Sequence, residues 1–300
     1  MAGQPAGHAL HDPREPLDPA QVRALLQQPD GPLPRVEVVA RTGSTNRDLV
    51  DALRAEPDAW PSGSLLVADH QDAGLGRSGR SWESPPGTSL TCSFVVRPQV
   101  GGDLLGWLPL LAGLGAVTAV RATAGVAAVL KWPNDVLAPA DTPVDGWTVP
   151  GWDGARKVAG VLAELVPLPA GPPAVVVGIG LNVLQQPAEL PVPSAGSLVL
   201  AGGRHLERVT VLVALVSALD DLTRRWRESG GDVVGSGLAD EVAAVVATLG
   251  TRVRVDLPDG RALEGRAERL DEHGALVVVD DDERAHTVLA GDVHHLRVLR

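Results

Sequence analysis

The chain has one cysteine, Cys92, and two lysines, Lys131 and Lys157, among 26 basic residues. A lone cysteine excludes an intramolecular disulfide framework and fits a reducing compartment. There is no cluster of His and Cys at metal-ligand spacing, no G-x-S-x-G elbow and no internal repeat. Arg14 and nearby acids stand at the N-terminus without an apolar stretch, so no signal peptide is expected. The uncharged run 104–120 falls short of the roughly 20 residues of a membrane span and contains Pro109, Gly106, Gly113 and Gly115. It reads as a buried helix of a soluble core. A net charge of −11 disfavours generic binding to nucleic acid or to an anionic membrane.

The shortage of lysine is informative. Arginine supplies nearly all the cations here, so a lysine marks a place where a compact point charge differs from a planar fork. The stretch 71–82 is rich in the other feature the chain has in plenty. Gly74, Gly76 and Gly79 leave a backbone able to approach a ligand closely, and Arg77 and Arg80 add guanidinium forks suited to carboxylate or phosphate. Such a loop has an anion as its natural guest, with bare N–H groups as further donors.

The three glycines also spell G-x-G-x-x-G, which in a dinucleotide fold follows a strand and opens a helix. The strand is there at 64–68. A helix is not expected, because Pro85, Pro86 and Gly87 follow without a 3.6-residue apolar period, and Gln99 stands where a ribose-binding acid is needed. The dinucleotide reading is rejected.

Along the chain, 1–16 is expected to be disordered and 17–26 a short helix. A strand at 35–40 leads into Ser44, Thr45 and Asn46, followed by helical spacing to Arg54. Ser44 or Thr45 is either a helix N-cap or part of a ligand site. The next strand, at 88–97, has Leu90, Cys92, Phe94 and Val96 on one face, and an apolar helix spans 104–123. A strand at 127–131 delivers Lys131, Trp132, Pro133, Asn134 and Asp135, where Trp-Pro implies an extended exit. A cation, an amide and a carboxylate this close suit a nucleotide phosphate with Mg²⁺, or else form a turn with an incidental ion pair. The stretch 138–155 reads as an exposed loop or hairpin. Strands follow at 156–166 and 174–178, and Gly178 and Gly180 indicate close backbone approach. Helices are expected at 209–227 and 237–248. Short strands at 252–255, 262–267, 276–279 and 286–289, with turns at Pro258-Asp259-Gly260 and His273-Gly274, read as a small β-barrel. His294 and His295 read as a strand terminus rather than a metal site.

Taken together, 44–46, 71–82, 131–135, 156–164 and 178–183, in this order and followed by the small β-unit, resemble the biotin–protein ligase family from about residue 35 to the C-terminus. The resemblance implies an α+β fold, with a mixed β-sheet catalytic domain flanked by helices (class II synthetase/biotin ligase-like) and a C-terminal SH3-like β-barrel. The implied division is 1–34 as an N-terminal segment, 35–248 as the biotin- and ATP-binding domain and 249–300 as the barrel. It also implies the chemistry: biotin and ATP give biotinyl-5′-AMP and pyrophosphate, and biotin then passes to a lysine of a biotin carboxyl carrier domain.

By this resemblance Ser44, Thr45, Asn46 and Gln71 bind the biotin ureido ring, and Gly74, Leu75, Gly76 and Arg77 wrap its carboxylate and the phosphate. Gly160 allows close approach to the biotin. Arg77 retains the adenylate, with Arg80, Trp82, Asn134 and Asn182 near the nucleotide. Lys131 and Lys157 neutralise phosphate and carboxylate oxygens, and Asp135 holds Mg²⁺ or orients the incoming lysine. Cytoplasmic location and no membrane partner are implied, and a homodimer is open. Leu75 departs from the family, which usually has a basic or polar residue between the first two loop glycines. The 138–155 stretch is longer than the family spacing. Two other readings stand beside this one: a lipoate or octanoate transferase of related fold, and a biotin-responsive DNA-binding repressor. The Pro-rich 34 residues before the first strand carry no two-helix pattern, so no operator-DNA binding is expected.

Overall fold

The computed structural model describes residues 13–139, 154–256, 262–289 and 295–299. The expectations for 1–12, for most of 138–155, for the turn at Pro258-Asp259-Gly260 and for His294 lie outside the described residues.

Alternation of apolar residues builds the central sheet. Helix α1 (Pro19–Leu26) starts where the Asp18 carboxylate accepts from the Ala20 amide at 2.9 Å. Strand β1 (Val36–Thr42), helix α2 (Thr45–Ala55) and strand β2 (Leu65–Gln71) follow, and β1 and β2 pair in parallel. The glycine loop folds as a short ribbon, β3 (Gly74–Leu75) against β4 (Ser81–Trp82), around one 3₁₀ turn. No helix opens there, as the paired prolines require. Strand β5 (Ser89–Val96), helix α3 (Trp107–Ala124), strands β6 (Val129–Lys131), β7 (Asp135–Pro139), β8 (Ala155–Val166) and β9 (Ala174–Asn182) complete a seven-stranded mixed sheet of order β1-β2-β5-β9-β8-β7-β6.

Side chains alternate across a strand, and here the two faces diverge. Leu90, Cys92, Phe94 and Val96 of β5, with Val175, Val177, Ile179 and Leu181 of β9, enter the main core under α3 and helix α4 (Arg208–Glu228). Val95 and Val176 point the other way, into a smaller cluster beneath Leu49, Val50 and Leu53 of α2. The helical segment 102–124 is long and apolar enough to cross a membrane, yet 67% of its apolar 18-residue stretch is buried inside the protein. It is the core helix the sequence leads one to expect.

Helix α5 (Leu238–Ala243) ends earlier than the expected 248 because Leu130 of β6 captures the chain beyond it. The Leu130 amide donates to Val245 O at 2.8 Å and the Ala247 amide donates to Leu130 O at 2.9 Å. The stretch 131–135 also differs from the expected extended exit. Lys131 and Asp135 pair as the ends of a β6–β7 hairpin, and Trp132 pins its turn from behind. The Trp132 amide donates to Thr248 Oγ1 at 3.0 Å and its indole to Gly274 O at 3.0 Å.

The C-terminal strands β10 (Arg252–Asp256), β11 (Ala262–Leu270), β12 (Leu276–Val279), β13 (Ala285–Val288) and β14 (His295–Leu299) form a five-stranded antiparallel sheet of order β13-β12-β11-β10-β14. Val253, Ala267, Leu276 and Val278 join the main core, and the Trp107 indole donates to Glu272 O at 2.8 Å. Trp132 therefore links the hairpin to this sheet. Trp132→Phe keeps the packing but leaves Gly274 O without its donor, which should cost about 1–3 kcal/mol. In urea titrations the midpoint should fall with the slope unchanged.

Candidate active site

The sheet face opposite α3 has almost no side chains at its centre. Gly160 of β8 pairs with Gly180 of β9, and Gly178 lies two residues along. A Cβ at Gly178 would sit 2.0 Å from Asn46 Oδ1, and one at Gly180 would sit 2.4 Å from Trp82 Cε2. The glycines are needed so that α2 and the loop can lie directly on the sheet backbone. The space left between them is a cavity of about 1140 Å³.

One end of the cavity is neutral and polar. Ser44 is the α2 N-cap by position, yet its side chain makes no capping bond and stands in the cavity wall. Gln71 takes over the helix end: its Oε1 accepts from the Thr45 amide at 2.8 Å and from Thr45 Oγ1 at 2.9 Å. Ser93 Oγ lies 2.8 Å from Thr45 Oγ1 and 2.6 Å from Asn46 Oδ1. Asn46 Nδ2 donates to Glu164 Oε2 at 2.6 Å and to Leu162 O at 3.3 Å.

The opposite end carries the charge. Lys157 Nζ lies 2.6 Å from Asp135 Oδ1. Burial pushes the Asp135 carboxyl up, but Lys157 and Lys131 outweigh it and the group ends below the ordinary carboxylate range. Burial pulls the Lys131 ammonium down against the support of Asp135, and Lys157, Arg80 and Arg77 push it the same way. Burial likewise lowers Arg77, whose Nη1 donates to Asn134 Oδ1 at 3.1 Å. Asn134 Nδ2 in turn donates to Val161 O at 2.7 Å. Four cations thus crowd around Asp135, and the imbalance suits an anion.

Between the two ends lies Trp82. Lys157 Nζ stands 5.8 Å from its ring centroid, close enough for a cation–π contact. The buried Trp82 Nε1 has no hydrogen-bond partner among the described residues. The far rim is formed by Pro191, Val192, Ser194 and Ala195, and the Lys157 amide donates to Ser194 O at 2.9 Å. Asn182 holds this rim from below: its Nδ2 donates to Gly196 O at 2.9 Å and its Oδ1 accepts from Gln185 Nε2 at 2.9 Å.

Ser44, Thr45, Asn46, Gln71, Leu75, Gly76, Arg77, Arg80, Trp82, Lys131, Asn134, Asp135, Lys157, Gly160 and Asn182 all line this one cavity. Gly74 does not. It packs behind the wall, where a Cβ would lie 2.5 Å from Trp82 O. The bare loop amides are also fewer than expected, because Asp72, Ala73 and Gly76 donate to Thr42 O, Gly43 O and Arg80 O. The loop gives the cavity its guanidiniums more than its backbone. Sequence reasoning anticipated the close approach at Gly178 but missed Ser93, Leu162 and the 191–195 rim. Ser93 carried a signal, a small polar residue within an apolar strand; the rim carried none.

Cys92, also at the cavity, is inert at neutral pH, since burial pushes its thiol up to about 12. Among the described residues no three His, Cys, Asp or Glu side chains are grouped to hold a metal.

Residues 38–182 match the biotin/lipoate A/B protein ligase family, and residues 248–296 match the biotin protein ligase C-terminal domain. The chain is 37% identical over 288 residues to a biotin–[acetyl-CoA-carboxylase] ligase of Mycobacterium tuberculosis, covering 95% of this chain and 97% of that one. It is 29% identical to the bifunctional ligase/repressor BirA of Escherichia coli, covering 72% of this chain and 61% of that protein. Among solved structures, the biotin protein ligase of Aquifex aeolicus in complex with biotin and ATP superposes with a TM-score of 0.67 at 26% identity, over 89% of this chain and all of that one. With the match running through both the mixed sheet and the C-terminal strands, the chain belongs to the biotin protein ligase family.

Proposed function

We propose that this protein is an ATP-dependent biotin–protein ligase. It joins biotin to AMP with release of pyrophosphate, then passes biotin to one lysine of a biotin carboxyl carrier domain. The observation that carries this reading is the cavity's division into a neutral hydrogen-bonding end and a cationic end, with a bare glycine floor between them.

In the first step a biotin carboxylate oxygen attacks the α-phosphorus of ATP, and the bond to the bridging β-phosphate oxygen breaks. Both reactants are anions. Lys131, Lys157 and Arg77 lower their repulsion and meet the charge that builds on the α-phosphoryl oxygens, already in place before reaction. Arg80, Asn134 and Asn182 are assigned to the nucleotide end, and Arg77 to retention of the adenylate. Trp82 covers the anhydride and excludes water. Ser44, Thr45 and Gln71 hold the ureido ring, with Asn46 behind them and Gly160 beneath the ligand. In the second step the acceptor lysine, as the free amine, attacks the acyl carbon; AMP leaves and the amine loses a proton. Asp135 is assigned to orient that lysine.

Mg²⁺ accompanying ATP would supply charge neutralisation at the phosphates when bound. Asp135, 2.6 Å from Lys157, is the residue that would hold it, as the alternative to orienting the acceptor lysine. The net charge of −11 supports a partner other than operator DNA, and the single cysteine supports a cytoplasmic location.

Purified protein with ATP, Mg²⁺ and biotin should add one biotin mass to a carrier domain, and none to the same domain with its acceptor lysine changed to arginine. Transfer of lipoate or octanoate instead would overturn the assignment. Lys157→Met should lower kcat/KM for adenylate formation about 10²–10³-fold, the loss expected for one preorganised donor. Asp135→Asn removes the charge that supports Lys131, so Lys131 should lose its proton at lower pH. The alkaline limb of the rate profile should move down in pH; an upward shift would contradict this electrostatic account.

A further inference from the structure

Glu164 does not touch the cavity, yet it ends a chain of hydrogen bonds that does. Its carboxylate can only accept, and so can Leu162 O. Both face the same atom of Asn46, so that atom must be the amide nitrogen. Asn46 Oδ1 is then turned toward Ser93 and must accept from it at 2.6 Å. The single Ser93 proton is committed there. Gln71 Oε1 is likewise an acceptor, already turned toward the Thr45 amide at 2.8 Å.

Two hydroxyl protons therefore serve three oxygen contacts, Ser93 to Asn46, Ser93 to Thr45 and Thr45 to Gln71. Every arrangement sends both protons into the protein. Thr45, the member of the pair that lines the cavity, has lone pairs left and no proton to give. A ligand atom meeting it must bring its own N–H or O–H.

We propose that Glu164 is a positioning residue whose carboxylate, acting through Asn46 and Ser93, makes Thr45 an obligate acceptor and so selects a ligand ring that carries N–H. This rests on the biotin reading, since the biotin head is a cyclic urea with two N–H groups. The dithiolane of lipoate and the alkyl tail of octanoate carry none. A site built to receive an N–H discriminates against ligands that lack it more strongly than a site selecting by volume. The Cβ-free position at Gly178 belongs to the same device, because any side chain there would displace the Asn46 amide that transmits the constraint.

The test uses pyrophosphate release from the full chain with biotin and with two isosteric cyclic carbamates, each having one ring N–H replaced by oxygen. Wild type should prefer biotin over one of the carbamates by about tenfold or more in kcat/KM, the loss expected when a charge-assisted hydrogen-bond chain ends on no donor. Glu164→Met should shrink that preference to about threefold or less while KM for ATP is unchanged, and Glu164→Gln, which retains an acceptor, should rescue it. Thermal unfolding checks that Glu164→Met is folded; if it is not, Ser93→Ala breaks the chain at its next link and should shrink the preference in the same way. Full preference in these variants, or none in wild type, would overturn the assignment of Glu164. Absence of pyrophosphate release from biotin in wild type would overturn the ligase reading itself, a separate and earlier failure.

Discussion

Crowding of like charge around Asp135 is the constraint on which the site depends. Lys131, Lys157, Arg77 and Arg80 all act on one another or on this carboxylate. Unit charges a few ångströms apart near a protein surface interact by about 4 kcal/mol, so a single carboxylate does not settle four cations. The fold holds them together regardless: Lys131 on a hairpin pinned from behind by Trp132, Lys157 on a strand held by its neighbours on both sides, and Arg77 and Arg80 on the glycine loop. An anion entering this end relieves repulsion already built into the protein. That is the physical content of preorganisation: the cost is carried by the folded state, before the ligand arrives.

The sheet makes such a site possible by being different on its two faces. Toward α3 and α4 it is filled with Leu, Val and Phe94, which supply the burial that stabilises the fold. Toward the cavity, glycines at 160, 178 and 180 leave the backbone bare, so Asn46 and Trp82 can rest on it. The same strands therefore serve stability and recognition at alternate positions. Burial on the first face keeps the second face fixed.

Features that depend on local pattern were legible in the sequence. The β5 alternation, the buried α3, the absence of a dinucleotide helix after Gly79 and the singular placement of Lys131 and Lys157 all follow from neighbouring residues. What was not legible depends on contacts between distant parts of the chain. The hairpin at 131–135 is held by Thr248 and Gly274, and α5 stops short because Leu130 claims the residues beyond it. Ser44 could be read as a helix cap or as part of a ligand site, and the choice rests on Gln71, 26 residues from Thr45, which bonds the helix end instead. The loop amides looked free, but Thr42 O, Gly43 O and Arg80 O accept from three of them. Glu164 lay in a matched stretch without an assigned role, since its importance lies only in what it does to Asn46.

The most direct test of the central claim is pyrophosphate release with ATP and Mg²⁺ as biotin, lipoate and octanoate are added in turn. A cavity with a cationic end and an N–H-accepting end predicts release with biotin and none above background with the other two acids. Release with lipoate or octanoate in preference to biotin, or with no acid at all, would contradict it.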